Sequence, residues 1–593
     1  MSFGDWLDER TGHRAIIRHA LDEPVVGGAR WAYVFGSALT LSLVVQAVTG
    51  WLLMSAYAPS ATTAWASVHH INFTMSGGWL IRGLHHFGAQ AMVILLALHL
   101  GQTALYGAYK KPREVNWFFG LGLLFLTLGF ALTGYLLPWD QKGYWATRVA
   151  TNIAGTVPVV GGFTQSLLVG GSEYGHLTLT RFYTLHVAVL PALTVLLLVG
   201  HIALFRKHGV TPPVGADTSK VDRFFPKQLA MDVTVGVAVL AILFALTLRE
   251  HGAPLDAPAD PSSDYPARPE WYFLSLFELL KYFHGPLEPV GAVGLPLIIV
   301  GYLVALPFLD KRSSTALRPR LVFVMPLVLV LLATAGLTLK SMRDDSADAS
   351  FQAARRTATQ RADRSIMLAK EGVPPDGPLA MLQRDPELRG EALFVEHCAA
   401  CHQLGELGPP GKEEPAGPLP SADPRAPDLT GFGGKAWILA LLDNPDSDKL
   451  FGRSAFKGMM PSVVRPPADP EAAKAFTPMT PADQELVATF LIAQAKGERA
   501  EGSAGEKIVK QRCTSCHRLD GKTDDEDSLA PELRTWASIA WIEAQIDNPA
   551  NGKTYPAGAA APELKGHMPG FADKIAAPDR KLLATWLHGR AAR

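Results

Sequence analysis

Residues 81–105 read IRGLHHFGAQAMVILLALHLGQTAL, and residues 183–205 read YTLHVAVLPALTVLLLVGHIALF. Each is an apolar run on the scale of a membrane helix, which needs about 20 residues. Each also holds a histidine near either end, His85 and His99 in the first, His186 and His201 in the second. An α-helix turns about 100° and rises ~1.5 Å per residue, so the 14-residue step from His85 to His99 returns to within ~40° of one face. The 15-residue step from His186 to His201 overshoots by ~60°, still broadly one face. His86 in place of His85 would put the pair on nearly opposite faces, so His85 is the better ligand. An ionisable side chain inside an apolar span points to function, and imidazole is a natural iron ligand. Two facing helices so equipped can hold two planar iron cofactors, one near each membrane surface.

A second pattern uses the same ruler. Gly36 and Gly50 are 14 residues apart, as are Gly120 and Gly134. Missing side chains at those heights would let a porphyrin lie close to the backbone. Helix packing in membranes also favours glycine, but the match to the histidine step on two separate helices favours haem clefts.

Working outward, uncharged apolar runs occupy 31–57, 88–108, 115–137, 183–205, 233–248, 290–309 and 321–339. Seven such runs predict seven membrane spans, the fifth reaching full length only by taking in Asp232 and Arg249. Residues 1–30 carry too many charges for a cleavable signal and read as an amphipathic surface segment. The connections 109–114, 206–230 and 310–320 hold 12 Lys/Arg in 42 residues, against 7 in 111 for 58–82, 138–182 and 249–289. The first set is therefore expected on the cytoplasmic side with the N-terminus, and everything beyond 339 on the outer side.

Beyond that point the composition changes. Residues 341–371 are charged and Ala-rich, and then come Cys398-Ala-Ala-Cys401-His402 and Cys513-Thr-Ser-Cys516-His517. Cys-x-x-Cys-His attaches c-type haem, the two thiols forming thioethers and the histidine ligating iron. These motifs use all four cysteines of the 593-residue chain, which excludes a disulfide scaffold. An internal repeat surrounds them. Gly390 and Gly505 each precede the first Cys by eight residues, AWILALLDNP (436–445) echoes AWIEAQIDNP (540–549), and VATFL (487–491) echoes LATWL (583–587). The first copy carries a Pro/Gly-rich insertion at 405–427. A net charge of zero gives no basic face for nucleic acid.

Residues 1–340 resemble the cytochrome b of quinol–cytochrome c reductases, in the short chloroplast-type form with its second subunit fused on. IRGLH (81–85), KKPRE (110–114), GYLLPWDQKGYW (134–145), TLTRFYTLH (178–186) and RPEWYF (268–273) carry the resemblance, with the 15-residue step and the seven spans. It implies that His85 and His186 hold an outer-side haem b, and His99 and His201 an inner one. Arg82 would pair with an outer haem propionate and Arg113 with an inner one. Pro269, Glu270, Trp271 and Tyr272 stand where the family oxidises quinol, with Glu270 and Tyr272 as the catalytic pair. A carboxylate there can accept a proton from the quinol. Arg206 and Asp232 lie where relatives reduce quinone, although snorkelling or helix capping would equally explain them. The family's thioether-bound extra haem has no counterpart, since Val34 stands at that position and no cysteine precedes Cys398.

The remainder looks like two small class-I cytochrome c domains. Met460 and Met568, each followed by Pro, would be their axial ligands, with Met459 an alternative to Met460. The expected architecture is all-α, a seven-span transmembrane bundle followed by two cytochrome c domains. Its segments are 1–30, a four-span di-haem part 31–209, a three-span quinol-site part 210–340, a linker 341–388, and haem domains 389–497 and 498–593. The expected activity is quinol–cytochrome c oxidoreduction by a Q-cycle coupled to proton translocation across an energy-transducing inner membrane. Two haem b, two haem c and quinol/quinone are the implied cofactors. With every cysteine assigned, a Rieske iron–sulfur protein must be a partner. A soluble cytochrome c or terminal oxidase, other subunits and a homodimeric complex are the remaining partners. The alternative is a non-catalytic four-haem electron-transfer module anchoring another oxidoreductase.

Overall fold

A computed structural model describes residues 2–312, 314–408, 426–454, 456–498, 500–523, 530–549, 552–555 and 568–590, so that most of the 405–427 insertion lies outside the described residues. The chain divides into two units, Met1–Met381 and Leu382–Arg593.

Seven helices of the first unit are long and apolar enough to cross a membrane: Trp31–Met54, Gly78–Tyr106, Glu114–Leu136, His176–His208, Phe224–Glu250, Gly285–Leu309 and Leu317–Ala347. The short fifth run becomes a full helix as expected, taking in Asp232 near its start and Arg249 near its end. The first span packs mainly on the second, and the third on the fourth. Inside the fourth span, Leu185–Val189 forms a π-helical turn. Such a turn accommodates one extra residue within an α-helix. With that residue absorbed, the 15-residue step from His186 to His201 acts as about 14 α-helical ones, the same step that separates His85 from His99.

At one end of the bundle the connections interlock as a polar layer. Trp65 Nε1 donates to the Asp256 carbonyl at 2.7 Å, Tyr57 Oη donates to the Leu137 carbonyl at 2.7 Å, and Asp140 forms a bridge with Pro258. The segment expected as a linker is largely ordered helix. The last span runs to Ala347, Ala349–Ala369 follows, and both dock on this layer. Arg361 pairs with Asp260 at 2.7 Å, and Arg268 with Asp345 at 2.9 Å. The charges of the Ala-rich 341–371 segment, expected as a linker with some helix, thus supply its docking contacts.

At the opposite end, strands Pro24–Val26 and Val221–Arg223 pair antiparallel. There Asp310, fully buried, accepts from Tyr109 Oη at 2.7 Å and meets Lys110 at 2.8 Å and the fully buried Arg320 at 3.1 Å. A buried charge persists only when it is paired in this way.

In the second unit, helices Pro386–His397 and Ala504–Arg512 each lead into a Cys-x-x-Cys-His motif, while Pro481–Ala495 and Ala577–Arg590 close the repeats. The partners are exchanged. Gly390 of the first repeat receives Trp586 of the second, so close that a Cβ there would stand 2.3 Å from the Trp586 Cβ. Gly505 of the second repeat sits equally tightly against Leu486 and Phe490 of the first. Arg389 pairs with Asp579 at 2.6 Å, locking the first crossing. One hydrophobic core runs through both repeats and includes Phe394, Trp437, Phe490, Trp536, Trp541 and Trp586. Trp586→Ala, which deletes a core aromatic at a cost of roughly 3–5 kcal/mol, should raise hydrogen exchange in 386–397 as well as in 577–590. Protection lost only in the second repeat would show the exchanged packing to be wrong.

Candidate functional site

The four membrane histidines each face one of the four spaced glycines. A Cβ on Gly36 would lie 3.7 Å from His99, on Gly50 3.1 Å from His85, on Gly120 3.4 Å from His201, and on Gly134 2.6 Å from His186, each measured to ring Cε1. The His85 and His186 rings come together with centroids 6.3 Å apart. The glycines therefore clear the space beside each imidazole, one cradle per ring.

Hydrogen bonding fixes which nitrogen of each ring is free. His85 Nδ1 lies 2.9 Å from Thr49 Oγ1, and His186 Nδ1 lies 3.0 Å from Thr133 Oγ1. Both threonine hydroxyls already donate to their own helix, to Val45 and Gly129 carbonyls respectively. They can therefore only accept from Nδ1–H. His201 Nδ1 faces the Asn116 carbonyl at 3.2 Å, and His99 Nδ1 the Gln102 Oε1 at 3.4 Å. All four rings thus carry their proton on Nδ1 and leave Nε2 as the basic nitrogen, the state an iron ligand needs. Among the described residues no three His, Cys, Asp or Glu side chains cluster to hold a bare metal ion. Thr49 and Thr133 escaped the sequence reading. Their signal was the Thr-Gly dipeptide repeated at 49–50 and 133–134.

The two arginines expected near propionates differ. Arg82 is buried and donates to Asn72 Oδ1 at 3.1 Å and to the Ala253 and Pro254 carbonyls at 2.5 and 2.6 Å, so its fork holds the polar layer. Arg113 donates one nitrogen to the His208 carbonyl at 2.7 Å, while its buried Nε has no hydrogen-bond partner among the described residues. That orphaned donor fits an acidic group.

In the second unit the same ring logic recurs. His402 Nδ1 donates to the Pro427 carbonyl at 2.8 Å, and His517 Nδ1 to the Pro531 carbonyl at 3.0 Å. Both motifs wind as a helical turn, with His402 N bonded to Cys398 O and His517 N to Cys513 O. Residues at i, i+3 and i+4 share a helical face, so each pair of thiols stands beside its imidazole. None of the four cysteines is in a disulfide. Met460 and Met568 are half-buried against the common core, whereas Met459 is exposed.

Glu270 lies in the polar layer, just before the helical stretch Trp271–Leu280. Its Oε1 meets Lys142 Nζ at 2.7 Å. The buried Tyr135 hydroxyl beside it makes no hydrogen bond among the described residues. Trp271 and Tyr272 follow edge to face, centroids 5.4 Å apart, and Pro269 precedes them. At the opposite end Arg206 pairs with Glu23 at 3.1 Å, and Asp232 accepts from Ser37 at 2.7 Å and Gln228 at 2.8 Å. These two are each engaged locally. Lys142 was not singled out from sequence, although a lysine in the first turn of a helix, against the macrodipole, was a readable signal.

Residues 90–258 match the family model for cytochrome b(N-terminal)/b6/petB, 258–359 that for cytochrome b(C-terminal)/b6/petD, and 388–493 and 502–590 that for cytochrome c. The chain is 37% identical over 313 residues to the cytochrome bc complex cytochrome b subunit of Chlorobaculum thiosulfatiphilum, covering 51% of this chain and 70% of that protein. It is 41% identical over 212 residues to the cytochrome b6 of Cyanidium caldarium, covering 36% of this chain and 99% of that one. A chain of a hyperthermophilic respiratory Complex III superimposes with a TM-score of 0.51 at 27% identity, covering 62% of this chain and 97% of that chain.

Redox difference spectroscopy with haem quantification should give b and c haem in equal amounts, with only the c haem surviving denaturing electrophoresis. Gly134→Leu, which fills the cradle facing His186, should lower the b signal by about half and leave the c signal unchanged. A b-to-c ratio other than 1:1 in the unaltered protein would overturn these assignments.

Proposed function

The chain belongs to the cytochrome b family of cytochrome bc and b6 proteins, with cytochrome c joined to it in one polypeptide, and from that premise we propose that it is the redox subunit of a quinol–cytochrome c oxidoreductase. Quinol is oxidised at the polar layer beside Glu270, and quinone is reduced at the opposite end near Arg206 and Asp232. When bound, two b haems in the bundle and two c haems in the second unit supply one-electron transfer chemistry. His85 and His186 hold one b haem, His99 and His201 the other. His402 with Met460, and His517 with Met568, ligate iron in the c segments, whose thioethers form at Cys398, Cys401, Cys513 and Cys516.

The observation that carries this reading is the Glu270 environment. A quinol losing two electrons must also lose two protons, and a carboxylate at the edge of the apolar bundle can take one. The Glu270 side chain is 12% exposed, enough to hand that proton to water. The orphaned Tyr135 hydroxyl is a hydrogen-bonding group for a bound quinol oxygen. A passive four-haem wire needs the histidines and glycines but neither of these features.

The other electron acceptor is an iron–sulfur protein of the Rieske kind, since all four cysteines are assigned to haem. The complex sits in an energy-transducing membrane as a homodimer, with the N-terminus and quinone-reducing end on the cytoplasmic side and the c haems outside. The second unit hands electrons on to a soluble cytochrome c or a terminal oxidase. Proton release at one end and uptake at the other couple the cycle to translocation.

Glu270→Gln, which removes the proton acceptor and keeps the shape, should slow quinol oxidation at least about 100-fold. All haem bands should be unchanged. Undiminished quinol-dependent turnover would instead favour the passive wire.

A further inference from the structure

Lys142 is the second residue of helix Gln141–Gly155, whose N-cap Asp140 accepts from Gly143 N at 2.8 Å. A cation in the first turn of a helix opposes the macrodipole. It is held there by two other interactions. Its ammonium meets Glu270 Oε1 at 2.7 Å and sits 5.6 Å from the centroid of the Tyr135 ring. The lysine side chain is 38% exposed and Glu270 12%, so the pair spans from solvent to the apolar edge.

We propose that Lys142 is a positioning residue for quinol oxidation: it pairs with Glu270 between turnovers and releases it once Glu270 has taken up a proton. The inference rests on the reading of Glu270 as the quinol's proton acceptor. Quinol gives up two electrons, to the iron–sulfur partner and the b haem, and two protons, one bonding to a Glu270 carboxylate oxygen and the other passing to water. Protonation cancels the attraction to Lys142. The neutral carboxyl is then free to turn toward water, where losing its proton re-forms the pair. A long flexible ammonium suits a contact that must break and re-form.

Other charged and titratable groups face this pair. Tyr135 from the third span, Tyr272 and His86 all lie close enough to feel Glu270, and Asp140 and Asp256 feel Lys142. Burial and then the neighbouring Asp256 push the Asp140 carboxyl up to about 6. Asp140 and Asp256 have backbone amides as donors, from Gly143 and Ala257 respectively. Lys142 makes its direct ion pair with Glu270 alone among these groups.

The test is the pH profile of quinol oxidation in membranes holding the whole complex, for Lys142→Gln, Lys142→Arg and Glu270→Gln, each checked for normal b-haem spectra. An opposite charge at this range favours the charged form of a carboxyl. Lys142→Gln, which removes the cation from the 2.7 Å pair, should therefore cost about tenfold in rate on the acid side of the profile and little on the alkaline side. Lys142→Arg should restore the original profile. An unmoved acid limb, a uniform loss of rate at all pH values, or an Arg variant that behaves like Gln would overturn the proposal. Glu270→Gln separates the two levels. If it is inactive while the Lys142→Gln limb stays put, only the role of Lys142 fails. If Glu270→Gln turns over normally, the proton-acceptor reading itself fails.

Discussion

The first unit depends on one hydrogen bond made four times, from a histidine Nδ1 to an acceptor on its own or a neighbouring helix. In an apolar bundle an imidazole without a partner is costly, and one free to flip would present either nitrogen. Thr49, Thr133, Asn116 and Gln102 remove that freedom. The threonines can do so because their hydroxyl protons are already committed to the helix backbone. Ring orientation, tautomer and the facing glycine are thus set together, and each of two planar groups between the helices would meet two prepared nitrogens.

Charge is handled differently at the two ends of the same bundle. Around Asp310 the ions are sealed, with Arg320 and Asp310 fully buried and every contact internal. Such a network holds connections in place but cannot exchange protons readily with water. Around Glu270 the ion pair is half open, and an orphaned phenol lies beside it. The first arrangement suits anchoring and the second suits chemistry. Arg82 belongs to the anchoring kind, since its donors go to the backbone at 253–254.

The seven spans and the pairing of histidines with glycines were legible because both are periodic, and apolar length and helical phase are local properties of a chain. The π-helical turn at Leu185–Val189 was not, because whether a helix admits one extra residue depends on what it packs against. Its trace was the mismatch between a 14- and a 15-residue step. The docking of the helix Ala349–Ala369 was not legible for a related reason. Its charges look like solvated linker until Asp260 and Arg268, far away in sequence, are brought beside it. The Glu270 motif was readable from resemblance, but its partner Lys142 lies 128 residues away and only folding joins them.

The exchange of helices between the two c segments bears on how the protein is made. The helix preceding Cys398 finds its packing partner in Ala577–Arg590, the last helix described, so that contact cannot form while the chain is still emerging. Domains are ordinarily completed in order of synthesis. Here the crossing of Gly390 with Trp586 forms only after the second repeat has been made. A truncation near the C-terminus would therefore injure the earlier haem segment as well as the later one.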